Sequence, residues 1–265
     1  MQRLKKLFLS APYYLWIALF VVIPIGLIFI YSFQDISGKF TINNYITFFT
    51  SPTYLMMALN SILFAFIITI ISLVISYPVA WIISKFTQIR DFLILLIVLP
   101  MWINLLLKTY AFIGLLSRNG SINNLLAVLG FGKKQFLFTD ASFILVAVYV
   151  QLPFMILPLY NSITAINRSL INASYDLGAS KPQTFFRVIV PLTMPGIKSG
   201  IQAIFIPSLS LFMITRLIGG NRVITLGTAI EEHFLSTMNW GMGSTIGVIL
   251  ILAMILIMLL TKESK

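Results

Sequence analysis

A chain of 265 residues that is 59% hydrophobic and only 9% charged lacks the charged surface that a soluble domain of this size needs, so lipid must solvate much of it. Its 18 Lys and Arg against 7 Asp and Glu give a net charge of +11, yet the cations sit at the ends of apolar runs. There they orient helices against a membrane, which explains the excess better than a nucleic-acid partner does. The absence of cysteine excludes disulfide frameworks and thiolate chemistry, and the single histidine, His233, cannot build a zinc site alone.

A spanning helix needs about 20 mostly apolar residues, because the hydrocarbon layer is roughly 30 Å thick. Six runs qualify, at about 12–33, 60–84, 92–116, 141–164, 197–217 and 243–261. The expected fold is therefore an all-α integral membrane domain over 1–265. The first run follows Arg3, Lys5 and Lys6, as a signal peptide's apolar core would. Its charge-free stretch from Leu7 to Phe33 is too long for that, and no small-x-small cleavage site follows, so it reads as a span.

Orientation follows from the basic residues of the connections. With the N-terminus inside, the inner set is Arg3, Lys5, Lys6, Lys85, Arg90, Arg168, Lys181, Arg187, Lys198, Lys262 and Lys265. The outer set is the smaller one: Lys39, Arg118, Lys133, Lys134, Arg216 and Arg222, with Lys108 left inside a span. Both termini are expected in the cytoplasm.

Small residues recur every fourth position in the second run, as Ser61, Ala65, Thr69 and as Ser72, Ser76, Ala80, Ser84, and again as Gly196/Gly200 and Gly243/Gly247. Such spacing lets neighbouring backbones approach closely in lipid. Pro24, Pro78, Pro100, Pro153, Pro158 and Pro207 lie in or beside the runs, where they bend helices and free carbonyls that neighbours must satisfy. Gln151 and Asn161, with Tyr149 and Tyr160, place polar groups in the fourth run, where helix packing is the expected role.

The connection 165–196 has a pattern of its own. Ser169 is a cap candidate for a short helix with Leu170, Ala173 and Leu177 on one face, and Gly178 can end it in a left-handed cap. Ser180 caps again, Pro182 fits a first turn, and a second helix runs through Phe185, Phe186 and Ile189. The result is a two-helix ledge at the membrane face. From the pattern alone it is either a knob for a groove on another protein or an amphipathic connector lying in the headgroup layer.

Asn172-Ala173-Ser174, three residues, Gly178, nine residues, then Val188-x-Val190-Pro191 resembles the EAA loop of ABC-importer permeases of the MetI-like type. That family has Glu-Ala-Ala, three residues, Gly, nine residues, then Ile-x-Leu-Pro. The run Asp176-Leu177-Gly178-Ala179-Ser180 is also typical of it. The segments 99–112, 119–126, 150–163, 178–197 and 205–220 resemble its spermidine/putrescine branch, while iron, sulfate, molybdate and thiamine permeases share the architecture. The resemblance implies a type I importer permease in a bacterial cell membrane, with Asn172, Ala173, Ser174, Asp176, Leu177, Gly178 and Pro191 in the loop that couples it to an ATPase. It also implies an ATPase dimer carrying ATP and Mg, a second permease in a heterodimer, and an extracytoplasmic polyamine-binding protein, with no cofactor on this chain. Asn172 stands where the family has Glu, which removes a carboxylate from that docking contact, and Ser174 replaces an Ala.

Candidate path residues come from the charges. Lys108 is the basic residue well inside a span, where a charge must face a polar cavity or a partner, or snorkel to an interface. Asn104 lies one turn earlier on the same expected face, and Tyr110 is nearby. A polyamine site needs carboxylates with aromatic faces between them. The acids near the outer side are Asp35, Asp140, Glu231 and Glu232, and the group Glu231-Glu232-His233-Phe234 near Trp240 is the best local candidate. Arg216 stands where related permeases carry an acid, and it would repel such a cargo. No G-x-x-x-x-G-K-[ST] loop occurs, since Gly130-Phe131-Gly132-Lys133 lacks its spacing and hydroxyl. The rival reading is an ion-coupled secondary transporter, which would normally carry acids within its spans. Only Asp91, at an inner edge, approaches that.

Overall fold

In a layer without water, every backbone N–H and C=O must find its partner within the protein. The computed structural model describes the backbone of residues 2–261 and the side chains of 10–261 except Asn221. Lys262 and Lys265, and the side chains of Arg3, Lys5 and Lys6, counted above for orientation, lie outside the described residues. Among the described residues the chain is helical, with a single isolated β-bridge between Gln34 and Phe40.

The helices, in chain order, are α1 (2–31), α2 (Asn43–Thr50), α3 (Pro52–Lys85), α4 (Arg90–Trp102), α5 (Leu105–Leu116) and α6 (Ser121–Val128). After them come α7 (Asp140–Thr164), α8 (Arg168–Asp176), α9 (Lys181–Leu192), α10 (Met194–Ser208), α11 (Leu226–Leu235) and α12 (Trp240–Leu260). Four segments are each long and apolar enough to cross a membrane: Ser10–Tyr31, α3, α7 and α12. Two bent pairs complete a set of six: α4 with Leu105–Val128, bent by 94°, and α9 with α10, bent by 64°.

The bends have local causes. The expected third run, 92–116, is two helices, because Ile103 and Asn104 are extended (ψ 133° and 138°) and Asn104 caps the second helix by accepting from the Leu106 N–H at 2.8 Å. The expected fifth run, 197–217, breaks after Ser208, just past Pro207, and residues Thr215–Gly219 form a separate π-turn. Two further π-turns precede prolines. Ile23 N–H bonds to Ala18 O before Pro24, and Val190 N–H bonds to Phe185 O before Pro191. A proline has no N–H to continue the ladder, and the wider turn absorbs the register change.

Among the described residues the internal contacts gather into two units, 2–57 with 229–253 and 58–228 with 254–261. In the first, Thr245 Oγ1 donates to Ser32 O at 3.0 Å, and Asn44 Nδ2 donates to Gln34 O at 2.8 Å. In the second, Phe64, Ile68, Phe143, Met155, Leu159, Ile204 and Ile218 form the buried centre. The small-residue stripe of α3 is buried there too: Ser61, Ala65, Ser72, Ser76 and Ala80 are each fully enclosed. Between α7 and α10, Gln151 Nε2 donates to Ser208 Oγ at 2.7 Å, which joins the two helices across the core.

α7 and α10 come close at Gly196, where a Cβ would lie 2.6 Å from the Pro158 carbonyl and 2.5 Å from Ser162 Oγ. Backbone cannot yield there, so overpacking should destabilise by about 1–3 kcal/mol. Gly196→Val is expected to lower the temperature at which the detergent-purified protein loses its monodisperse peak. Gly26→Ala, which meets nothing within 4 Å, should leave that temperature unchanged.

Candidate functional site

The ledge between the fourth and fifth spans is built from short-range bonds. Asn167, rather than Ser169, is the N-cap of α8: its Oδ1 accepts from Ser169 N–H at 3.0 Å, so the helix begins two residues earlier than the serine would set it. At the other end Gly178 takes φ +82°, and its N–H reaches Tyr175 O at 2.9 Å while Ala179 N–H reaches Ser174 O at 3.0 Å. This is a Schellman closure, and it requires a left-handed residue where glycine stands. Ser180 then opens α9, with its N–H bonded to Gln183 Oε1 at 2.8 Å and Pro182 in the first turn.

Two hydroxyls clasp the helices together. Ser174 Oγ donates to Ile171 O at 2.7 Å, so it receives the Thr184 hydroxyl proton across the 2.9 Å gap between them. Both side chains are buried. The position where the family has Ala therefore carries a hydroxyl that binds one ledge helix to the other.

A second pair ties the ledge to a span. Thr193 Oγ1 donates within its own segment to Ile189 O and Val190 O, and so accepts from the Tyr77 hydroxyl of α3 at 2.8 Å. Phe185 stands edge-on to Tyr77 at 5.4 Å and to Trp81 at 6.4 Å. The sequence reading missed Tyr77, Trp81, Thr184 and Thr193. Tyr77 gave a signal, since a phenol within an apolar run needs a partner, but its mate lies 116 residues away.

The outer surface of the ledge is apolar and open. Leu177 is 89% exposed, Phe186 69% and Leu170 48%, and Asn172, Ala173, Asp176, Gly178 and Pro191 are exposed as well. The apolar face expected from Leu170, Ala173 and Leu177 thus points away from the protein. Among the seven residues of the expected loop site, Ser174 alone is buried.

The expected path residues divide between the two units. Asn104 is the N-cap of the helix that carries Lys108: its Oδ1 accepts from Leu106 N–H, its C=O accepts from Lys108 N–H at 3.1 Å one turn on, and Lys108 Nζ reaches back to Pro100 O at 3.1 Å. That bond joins the two sides of the 94° break and satisfies a carbonyl near the end of α4. Tyr110 is 58% exposed on another side of α5. Glu231, Glu232 and Trp240 belong to the other unit. Trp240 packs edge-on to Tyr31 at 6.0 Å and lies 6.4 Å from Phe234. Glu232 is exposed, whereas Glu231 is half-buried. Asp35 accepts from Ser37 and Lys39 N–H groups and so closes a turn, and Asp140 lies in the first turn of α7.

His233 Nε2 is 2.8 Å from Tyr54 Oη, and Nδ1 is 3.2 Å from Thr237 Oγ1. Burial lowers its pKa below the usual histidine value, and the Glu232 carboxylate partly opposes that. The unfolded chain therefore binds a proton more readily than the folded one. The contribution of the neutral ring is complete above about pH 6.5 and is lost as pH falls from there toward the lowered pKa. Thermal midpoints measured across this range should drop on acidification, and the His233 share of that drop should vanish in His233→Gln.

No protein-family model matches the chain. The spermidine/putrescine transport system permease protein PotB of Escherichia coli (strain K12) is 37% identical over 253 residues, covering 92% of this chain and 92% of its own. PotB of Haemophilus influenzae is 38% identical over 251 residues, covering 91% and 87%. Among solved structures, a bacterial ABC transporter involved in the import of the acidic polysaccharide alginate superposes with a TM-score of 0.82 at 17% identity, covering 98% of this chain and 96% of that one. With that fold shared along its whole length and that identity sustained over nine-tenths of the sequence, the chain belongs to the PotB family of ABC-importer membrane permeases.

Proposed function

We propose that this chain is the permease subunit of an ATP-driven importer of polyamines, forms part of the translocation pathway, and receives its power stroke through the 165–196 ledge. One observation carries the proposal: the ledge presents an exposed apolar tip, Leu170, Leu177 and Phe186, while its base is bonded to α3 through Tyr77 and Thr193. A connector resting in the headgroup layer would need only the first feature. A force-bearing knob needs both.

The cargo follows from the relatives, whose names specify spermidine and putrescine. Partners of the kind implied are an ATPase dimer that binds ATP and Mg, a second permease, and an extracytoplasmic binding protein. The solved alginate transporter, in complex with an alginate pentasaccharide-bound periplasmic protein, supports the last of these. Both termini and the ledge would face the cytoplasm of the bacterial membrane. Closure of the ATPases would push the ledge, tilt α3 and open the path outward, and hydrolysis would return it inward. Glu232, with the aromatic faces of Trp240 and Tyr31 in the same unit, would offer a cation its first contact, and Glu231 would add charge beside it. Lys108 would hold the bend in the third span rather than touch the cargo.

The test is uptake of labelled spermidine by cells carrying the chain with its partner subunits. ATP depletion should abolish uptake and collapse of the proton gradient should not, with unlabelled putrescine competing. Gly178→Pro, which cannot adopt φ +82°, should bring uptake to background while membrane insertion stays normal. Uptake that dies with the proton gradient would point instead to an ion-coupled carrier, and normal uptake in the proline variant would remove the coupling role.

A further inference from the structure

Three span ends meet in one cavity of ≈ 620 Å³ beneath the ledge: Lys85 closes α3, Arg90 opens α4 and Thr164 closes α7. Arg168, the first residue of α8, adds a third cation to the wall, and Asn172 and Ser84 add neutral polar groups. No acid lines the cavity among the described residues. Asp91, next to the wall residue Arg90, bonds Arg90 Nε at 3.2 Å with its own side chain almost fully exposed. Trp81, also in the wall, lies under Lys85 Nζ at 5.1 Å, a cation–π contact that draws the ammonium back along the helix end.

We propose that this cavity binds the phosphate headgroup of an anionic phospholipid, of the phosphatidylglycerol class. Charge alone would admit any phosphate. Depth selects the lipid, because the ends of three membrane-crossing segments place the cations at the level of the headgroups. The lining agrees, since Phe86 between the second and third spans and Tyr175 on the ledge are both large and exposed. An acyl chain would cover such a lining, while a free anion would leave it wet. A basic pocket between helix ends, flanked by tryptophan, is a chemistry that recognises anionic headgroups. The proposal concerns the bilayer surface on which the ledge lies and does not depend on which surface that is.

The test uses the full-length chain, separated from the partners that co-purify and placed in vesicles, with Trp16, Trp102 and Trp240 replaced by Phe so that Trp81 is the one tryptophan present. Phosphatidylglycerol or phosphatidylcholine carrying a spin label near the carbonyl end of an acyl chain is titrated at equal mole fraction. Trp81 should be quenched at a lower fraction of the anionic lipid, by at least about fivefold, the effect of one basic side chain near a charged surface. The preference should fall to parity in Lys85→Gln/Arg90→Gln/Arg168→Gln and survive in the charge-retaining Lys85→Arg/Arg168→Lys, which guards against a folding defect. Equal quenching by both lipids, or a preference intact in the triple Gln variant, would overturn the proposal. So would displacement by inorganic phosphate, which would mark a free-anion site. Loss of the ATPase from the triple variant without any lipid preference in the parent would assign the cations to subunit docking instead. Failure of the coupling role would leave the lipid titration unaffected, and the reverse holds equally.

Discussion

A knob on a membrane protein can transmit force only if it is fixed to the helices it must move. Here that fixture is the hydrogen bond from Tyr77 to Thr193, set beside the edge-on packing of Phe185 against Tyr77 and Trp81. Thr193 is fully buried and stands at the 64° bend between α9 and α10. Under the proposed coupling role, a push on the ledge would reach α3 through the phenol and α10 through the backbone. Loss of the Tyr77 hydroxyl would leave the Thr193 oxygen without its donor in a dry setting, where an unmade bond is expensive.

The same demand for satisfied polar groups shapes the rest of the molecule. Two of the prolines that remove a donor are met by a local device: a π-turn before Pro24 and another before Pro191. The Lys108 ammonium meets the Pro100 carbonyl at the break in the third span. Gln151 and Ser208 meet across the α7–α10 seam. Bends in this protein are thus held by named contacts, and a helix pair held by few contacts can rearrange without exposing a backbone group to lipid.

Much of this was legible in the sequence because the membrane reduces the possibilities. Apolar runs of spanning length, the fourfold small-residue spacing of Ser61 to Ala80, and the ledge with Gly178 at its turn each follow from one-dimensional rules of length, period and left-handed capping. What the sequence hid is the meeting of distant residues. Nothing local pairs Ser174 with Thr184, or Tyr77 with Thr193, and nothing says that Asn104 would leave its helix to cap the next one. The third span shows the same limit: the run 92–116 reads as one helix, and the extended residues Ile103 and Asn104 break it. The basic cavity under the ledge was equally invisible, because Lys85, Arg90 and Arg168 were counted as topology signals at three separate places in the chain.

The chain has no cysteine, so one introduced at Leu177, the most exposed large hydrophobic residue of the ledge, reports on a single point. In intact cells carrying the chain with its partner subunits, Leu177→Cys should resist a membrane-impermeant maleimide added outside and should form a crosslink to the ATPase whose yield changes with bound nucleotide. Labelling from outside, with no crosslink to the ATPase, would contradict a ledge that carries the power stroke.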